Sequence, residues 1–105
     1  MNLRITIMLL CFLVTGLTKA EITLPKIFSN EMVLQRETNV LLYGWADPNE
    51  EFTIYTSWND ATVVVKTGNN AKWEVTVETP EAGGPFQIRF KGKTNEVTLK
   101  DLLIG

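Results

Sequence analysis

Few residues in this chain could carry covalent chemistry. Its 105 residues include two serines, Ser29 and Ser57, one cysteine, Cys11, and no histidine. A serine or cysteine nucleophile needs a neighbouring base to take its proton, and in most such sites that base is histidine. Neither serine lies in a Gly-x-Ser-x-Gly elbow, so nothing marks Ser29 or Ser57 as a nucleophile. A Cys/His zinc site is excluded on the same count. Asp47, Glu50 and Glu51 gather at one turn, but the ligand spacing of a calcium loop is missing and a solvated turn explains them. We therefore expect no catalytic residue, no metal site and no cofactor site within the chain. The remaining candidates are the three tryptophans, since exposed aromatic rings can serve as contact surfaces. Trp73 alternates with Val75 and Val77 and reads as core. Trp45 adjoins Tyr43 in a segment apolar on both faces and is also expected to be buried. Trp58 sits in a loop between Ser57 and Asn59. It is the candidate for contact with a glycan or a neighbouring domain, against the alternative of a ring folded back on its own domain.

The elements that must hold these residues begin after an amino-terminal leader. Arg4 supplies a positive start, Ile5 to Leu17 is mostly apolar, and Thr18-Lys19-Ala20 ends on small residues at the positions a signal peptidase reads. Residues 1–20 thus read as a secretory signal peptide. A membrane anchor needs roughly 20 apolar residues, and this run is shorter and interrupted by Thr6, Thr15 and Gly16. Cys11 follows Met8-Leu9-Leu10 rather than small residues, so it is not a lipidation site. The expected location is exported, periplasmic or extracellular, with no stable membrane span after cleavage. The 85 residues from Glu21 onward carry 8 basic and 12 acidic side chains, a formal charge of −4. That balance argues against nucleic acid or an anionic membrane as partner.

From Glu21 the period-2 signal recurs and no helical period competes with it. Lys72–Glu78, Phe86–Lys91 and Glu96–Lys100 alternate as half-buried strands do, placing Trp73, Val75, Val77, Phe86, Ile88, Phe90, Val97 and Leu99 inward. Val40 to Trp45, Phe52 to Thr56 and Thr62 to Val65 are apolar on both faces and rich in β-branched and aromatic residues. Asp47-Pro48-Asn49 is a turn, with Asn49 tolerating the left-handed conformation. Trp58-Asn59-Asp60, Gly68-Asn69-Asn70 and Gly92-Lys93 read as hairpin loops, and Ala82-Gly83-Gly84-Pro85 breaks regular structure before Phe86. Counting Ile22 to Phe28 as a strand gives about seven, roughly ten residues apart. The expected fold is an all-β, immunoglobulin-like antiparallel β-sandwich over residues 21–105.

Phe28, Met32, Val33 and Leu34 need cover. Leu102, Leu103 and Ile104 form a consecutive apolar run that one strand face cannot bury, so it is expected to pack against a further domain.

Several stretches, taken in order, resemble the opening of the sialate O-acetylesterase family. They are Leu24-Pro25-Lys26-Ile27-Phe28-Ser29, Met32-Val33-Leu34-Gln35-Arg36, Tyr43-Gly44-Trp45-Ala46-Asp47-Pro48, Lys72-Trp73, Ala82-Gly83-Gly84-Pro85-Phe86 and Val97–Gly105. The resemblance spans essentially all of Glu21–Gly105. Asn49 stands where a glycine is usual, and Asn70-Ala71 replaces Asp-Gly. Members of that family are exported carbohydrate esterases with a small β-sandwich ahead of a serine-hydrolase domain of the SGNH type. The resemblance implies that this chain is that sandwich, and that the segment matching Leu102–Gly105 leads into the catalytic domain, whose serine follows in a Ser-Gly-Gln-Ser-Asn-like box. The implied partner is the catalytic domain of the same polypeptide; a glycan is the second candidate partner. The alternatives are a stand-alone carbohydrate-binding module or an immunoglobulin-like interaction domain. In each case the chain by itself is inactive. Purified Glu21–Gly105 is expected to hydrolyse no acetylated aryl ester above background. A turnover abolished by Ser29→Ala or Ser57→Ala would contradict this.

Overall fold

The computed structural model describes residues 21–105. The leader, with Cys11, lies outside the described residues. Seven strands make up the domain: β1 (Val33–Leu34), β2 (Asn39–Trp45), β3 (Glu51–Thr56), β4 (Thr62–Lys66), β5 (Lys72–Glu78), β6 (Gly83–Lys91) and β7 (Glu96–Ile104). They form an all-β sandwich with unequal layers. One sheet has five strands in the order β1-β7-β6-β3-β4, and the other pairs β2 with β5. Among the described residues no helix is long and apolar enough to cross a membrane.

The alternating segments behave as their pattern dictates. Trp73, Val77, Ile88, Phe90 and Leu99 are buried, while Val75, Phe86 and Val97 pack against the same core less completely. Leu42, Phe52, Ile54 and Val65 complete the middle of the core. Trp73 spans the layers. Its ring meets Phe52 edge-on at 5.0 Å and lies tilted against Phe90 at 5.8 Å. The turn at Asp47-Pro48-Asn49 forms, with Asn49 at φ 59° and the Glu50 N–H donating to the Asp47 carbonyl at 3.2 Å. The β3–β4 and β6–β7 hairpins close where expected. The Asn59 carboxamide oxygen accepts the Ala61 N–H at 2.8 Å, and the Gly92 N–H donates to Asn95 O at 3.0 Å.

Four expectations change. Ile22 to Phe28 is not a strand: Thr23 makes a single antiparallel bridge to Trp45. Pro25 has no N–H to extend the pairing, and the Phe28 N–H turns back to the Pro25 carbonyl at 3.0 Å. The seventh strand is β1, and it pairs parallel with β7, Val33 opposite Leu103 and Leu34 opposite Ile104. The sheet is therefore not purely antiparallel. Gly68-Asn69-Asn70 does not close a hairpin between paired strands; it hands the chain from β4 in one layer to β5 in the other. Ala71 ends that turn at φ 65°, a left-handed position that glycine adopts at less cost. Finally, β6 begins at Gly83, ahead of Phe86. Gly84, at φ 132°, absorbs a register irregularity between Gly83 and Phe86, and Pro85 is tolerated because β3 pairs with β6 only from Ile88 onward.

The apolar carboxyl end is resolved by a bulge. On β7 two residues separate Leu99 from Leu102, whereas on β6 one residue separates their partners Ile88 and Phe86. The extra residue is taken up at Lys100-Asp101, with Asp101 at φ 57°, and the alternation restarts one position later. Leu102 and Ile104 therefore point into the sandwich, 0% and 3% exposed, and Leu103 points out at 48%. The prediction that all three pack against another domain is corrected: two of them are core of this domain. Residues 30–36 supply the missing cover for the strand. Asn30 Oδ1 accepts the Lys100 N–H at 2.8 Å, Met32 O accepts from Leu103, and Leu34 O accepts from Gly105. That arm buries Leu34 and leaves Val33 exposed beside Leu103.

Buried Thr79, just after β5, holds the far end of that arm. Its hydroxyl donates to Gln35 O at 2.7 Å and accepts the Thr38 N–H at 3.1 Å. A domain of this size holds only about 4–13 kcal/mol of stability. Leu102→Ala should cost about 2–5 kcal/mol, enough to threaten folding. Leu103→Ala should stay within about 0.5 kcal/mol. Urea midpoints of the two variants read the difference.

Candidate functional site

The exposed aromatic surface lies on β2. Along Asn39–Trp45 the side chains alternate, with Leu42 and Gly44 inward and Leu41, Tyr43 and Trp45 outward. Tyr43 is 38% and Trp45 42% exposed, which corrects the expectation that Trp45 is buried. Both faces of this strand are apolar, so the pattern could not say which face turns inward. Gly44 decides it. A Cβ there would run into the Thr23 carbonyl oxygen and come within 2.9 Å of the Trp73 ring. Only glycine lets β2 lie this close to Trp73 and to the Thr23 bridge, and that fixes its neighbours Tyr43 and Trp45 on the outer face.

The backbone under Trp45 is pinned from two directions. Its carbonyl accepts the Thr23 N–H at 2.8 Å and the Trp73 indole N–H at 3.2 Å, while its own N–H donates to Thr23 O at 2.9 Å. Phe28 meets Tyr43 edge-on at 5.2 Å. Across the two-stranded sheet Tyr43 faces Glu74 and Trp45 faces Lys72. Asn70 stands at the end of the row, its Oδ1 accepting the Lys72 N–H at 3.2 Å. Leu41, Tyr43, Trp45, Asn70, Lys72 and Glu74 line an open groove of about 580 Å³.

Trp58 takes the other course that the sequence left open and folds back on the sandwich. Its indole N–H donates to Glu78 O at 3.1 Å, and its ring meets Phe86 edge-on at 5.5 Å. Ser57 Oγ accepts the Gln87 N–H at 2.9 Å, a bond that ties the β3–β4 loop to β6. Glu50 and Glu51 diverge, Glu50 buried against Gly92 and Glu51 exposed. Among the described residues no three His, Cys, Asp or Glu side chains converge on a point that could hold a metal ion.

No protein-family profile matches this chain, and no curated protein matches it. A solved structure does. The chain is similar to the crystal structure of a novel carbohydrate acetylesterase from Xanthomonas citri, with 30% sequence identity and a TM-score of 0.74. The chain is related to a carbohydrate esterase. The match covers 80% of this chain and 19% of that one, so the chain spans about a fifth of the length of the esterase it resembles.

Gly44 is the position on which this surface depends. Gly44→Ala should cost about 1–3 kcal/mol by forcing β2 away from Thr23 and Trp73. The accompanying change in near-ultraviolet circular dichroism would report the displaced Trp73. A variant with unchanged stability would contradict the close approach.

Proposed function

We propose that this chain is the amino-terminal accessory β-sandwich of an exported carbohydrate esterase, one that removes O-acetyl groups from sialic acids or other glycans. The observation that carries the reading is the similarity that covers four-fifths of this chain and only a fifth of a carbohydrate acetylesterase. The residue inventory supports it from a second side: the chain has no histidine to serve as a base, and neither of its two serines lies in a nucleophile elbow. In this reading the nucleophile, its base and the acyl pocket belong to the rest of the polypeptide, and residues 1–20 direct export.

The sandwich meets its catalytic domain through the outer face of the five-stranded sheet at the β1–β7 edge. Leu103 and the neighbouring Val33 form the apolar contact there, 48% and 66% exposed in the domain by itself. This narrows the expected contact run to one of its three residues and adds Val33. Covering what remains exposed of these two side chains contributes about 2–3 kcal/mol, a sizeable fraction of the stability of a small domain.

The coding sequence after the Gly105 codon is expected to continue in frame and to encode a Gly-Gln-Ser-Asn-like box within about a dozen codons, the spacing the family resemblance implies. The protein it encodes should release acetate from acetylated glycans, and Leu103→Lys should lower its thermal midpoint while leaving the melting of isolated Glu21–Gly105 unchanged. A stop codon directly after Gly105 would overturn the accessory-domain reading.

A further inference from the structure

Resting on the reading of the parent as a carbohydrate esterase, we propose that the outer face of the two-stranded sheet is a glycan-binding site, where a pyranose ring stacks on Trp45 and Tyr43 and its hydroxyls bond to Lys72, Glu74 and Asn70.

The face is built from two unlike rows. β2 presents Leu41, Tyr43 and Trp45, and β5 presents Thr76, Glu74 and Lys72 directly opposite them. Cross-strand neighbours stand about 4.5–5.5 Å apart, so each aromatic ring has a charged group within the width of one sugar. A pyranose has the matching chemistry. Its axial C–H groups form an apolar face that packs on an aromatic ring, and its equatorial hydroxyls project from the rim, where an ammonium donates to them and a carboxylate accepts from them. A protein partner would want a different surface, since the centre of a protein interface is depleted of Lys and Glu. Here they make up one of the two rows of the face.

Two further observations favour a small rigid ligand. The groove, at about 580 Å³, falls within the roughly 300–1,000 Å³ range of small-molecule sites. The Tyr43 ring and the backbone that carries Trp45 are also held before any ligand arrives. Trp45 is fixed through its backbone to Thr23 and to the Trp73 indole, and Tyr43 is braced by Phe28. A strand and a ring already in place lower the ordering cost of binding. The contrast within the molecule is informative. Tyr55, on the five-stranded sheet, is capped by Arg89 at 4.4 Å, and Arg89 in turn pairs with Glu96 at 3.3 Å. Among the described residues no ring or cation is stacked on Trp45. The groove and the Val33–Leu103 contact lie on opposite outer faces of the sandwich, so a catalytic domain and a glycan can be held at once.

The test is a titration of Glu21–Gly105 with acetylated xylohexaose and with O-acetylated sialyllactose, followed by tryptophan fluorescence and by amide chemical shifts. At least one glycan should give saturable binding, with shifts centred on residues 41–45 and 70–76. Trp45→Ala should weaken it about tenfold, the loss of one stacked ring, and Lys72→Ala by a smaller factor, while Leu103→Lys should bind as the parent does. Trp45 is a half-exposed strand residue, and circular dichroism verifies that each variant is folded. No saturable binding of either glycan by the folded chain overturns the proposal. Binding that Trp45→Ala leaves intact, or shifts that map to the Val33–Leu103 edge, also overturns it. A stop codon after Gly105 would remove the esterase parent without changing these titrations, so the two readings fail separately.

Discussion

The packing of Trp73 between the layers is the interaction on which the rest of this domain depends. A two-stranded sheet is marginal by itself in water, and no main-chain ladder joins β2–β5 to the five-stranded sheet. What holds it is side-chain burial across the interlayer space, where Trp73 lies against Phe52 and Phe90 with Leu42 and Val77 beside it. The tryptophan also has a polar obligation, which the Trp45 carbonyl meets. One side chain thus fixes the spacing of the layers and anchors the strand that carries the exposed aromatics. Gly44 is its counterpart, since a β-carbon at that position would take the space the indole occupies.

The second constraint is the closure of the β7 edge. An edge strand with free N–H and C=O groups invites pairing with other chains. Here residues 30–36 run alongside β7 and satisfy much of it, at the cost of a parallel two-residue strand and left-handed residues at Glu31 and Glu37. The Lys100-Asp101 bulge belongs to the same arrangement, because it is at Lys100 that the arm first bonds to β7 through Asn30 and Glu31. The bulge turns Leu102 and Ile104 inward and leaves Leu103 out. The domain is consequently more self-contained at its carboxyl end than three consecutive aliphatic residues imply, and the apolar surface left there is confined to Leu103 and Val33.

The accessory-domain reading and the glycan reading fit one division of labour. The five-stranded sheet offers an apolar edge at Val33 and Leu103, suited to a permanent neighbour. The two-stranded sheet offers rings flanked by charges, suited to a ligand that is itself half apolar and half hydroxyl. An esterase that acts on polymeric or branched glycans gains from a second contact on the same polypeptide, because holding the substrate raises its effective concentration at the catalytic centre.

Much of the architecture was legible in the residues. Trp73-x-Val75-x-Val77 and Phe86-x-Ile88-x-Phe90 alternate cleanly because one face of each strand is wet, and there period and burial carry the same information. Asn49 marked its turn because few side chains accept a positive φ. The absence of histidine excluded the common hydrolytic sites whatever the fold. Tertiary structure decided the rest, where local pattern is degenerate. Asn39–Trp45 is apolar on both faces, and the inward choice fell to Leu42 because Gly44 alone can lie against Trp73, a residue 29 positions away in the chain. Leu102-Leu103-Ile104 has no alternation to read, and a one-residue bulge chose which two are core. Trp58 could point out or fold back, and a carbonyl at Glu78 with a ring at Phe86 brought it in. A sequence prescribes the period of a strand; which of two equally apolar faces is buried depends on what the fold sets against it.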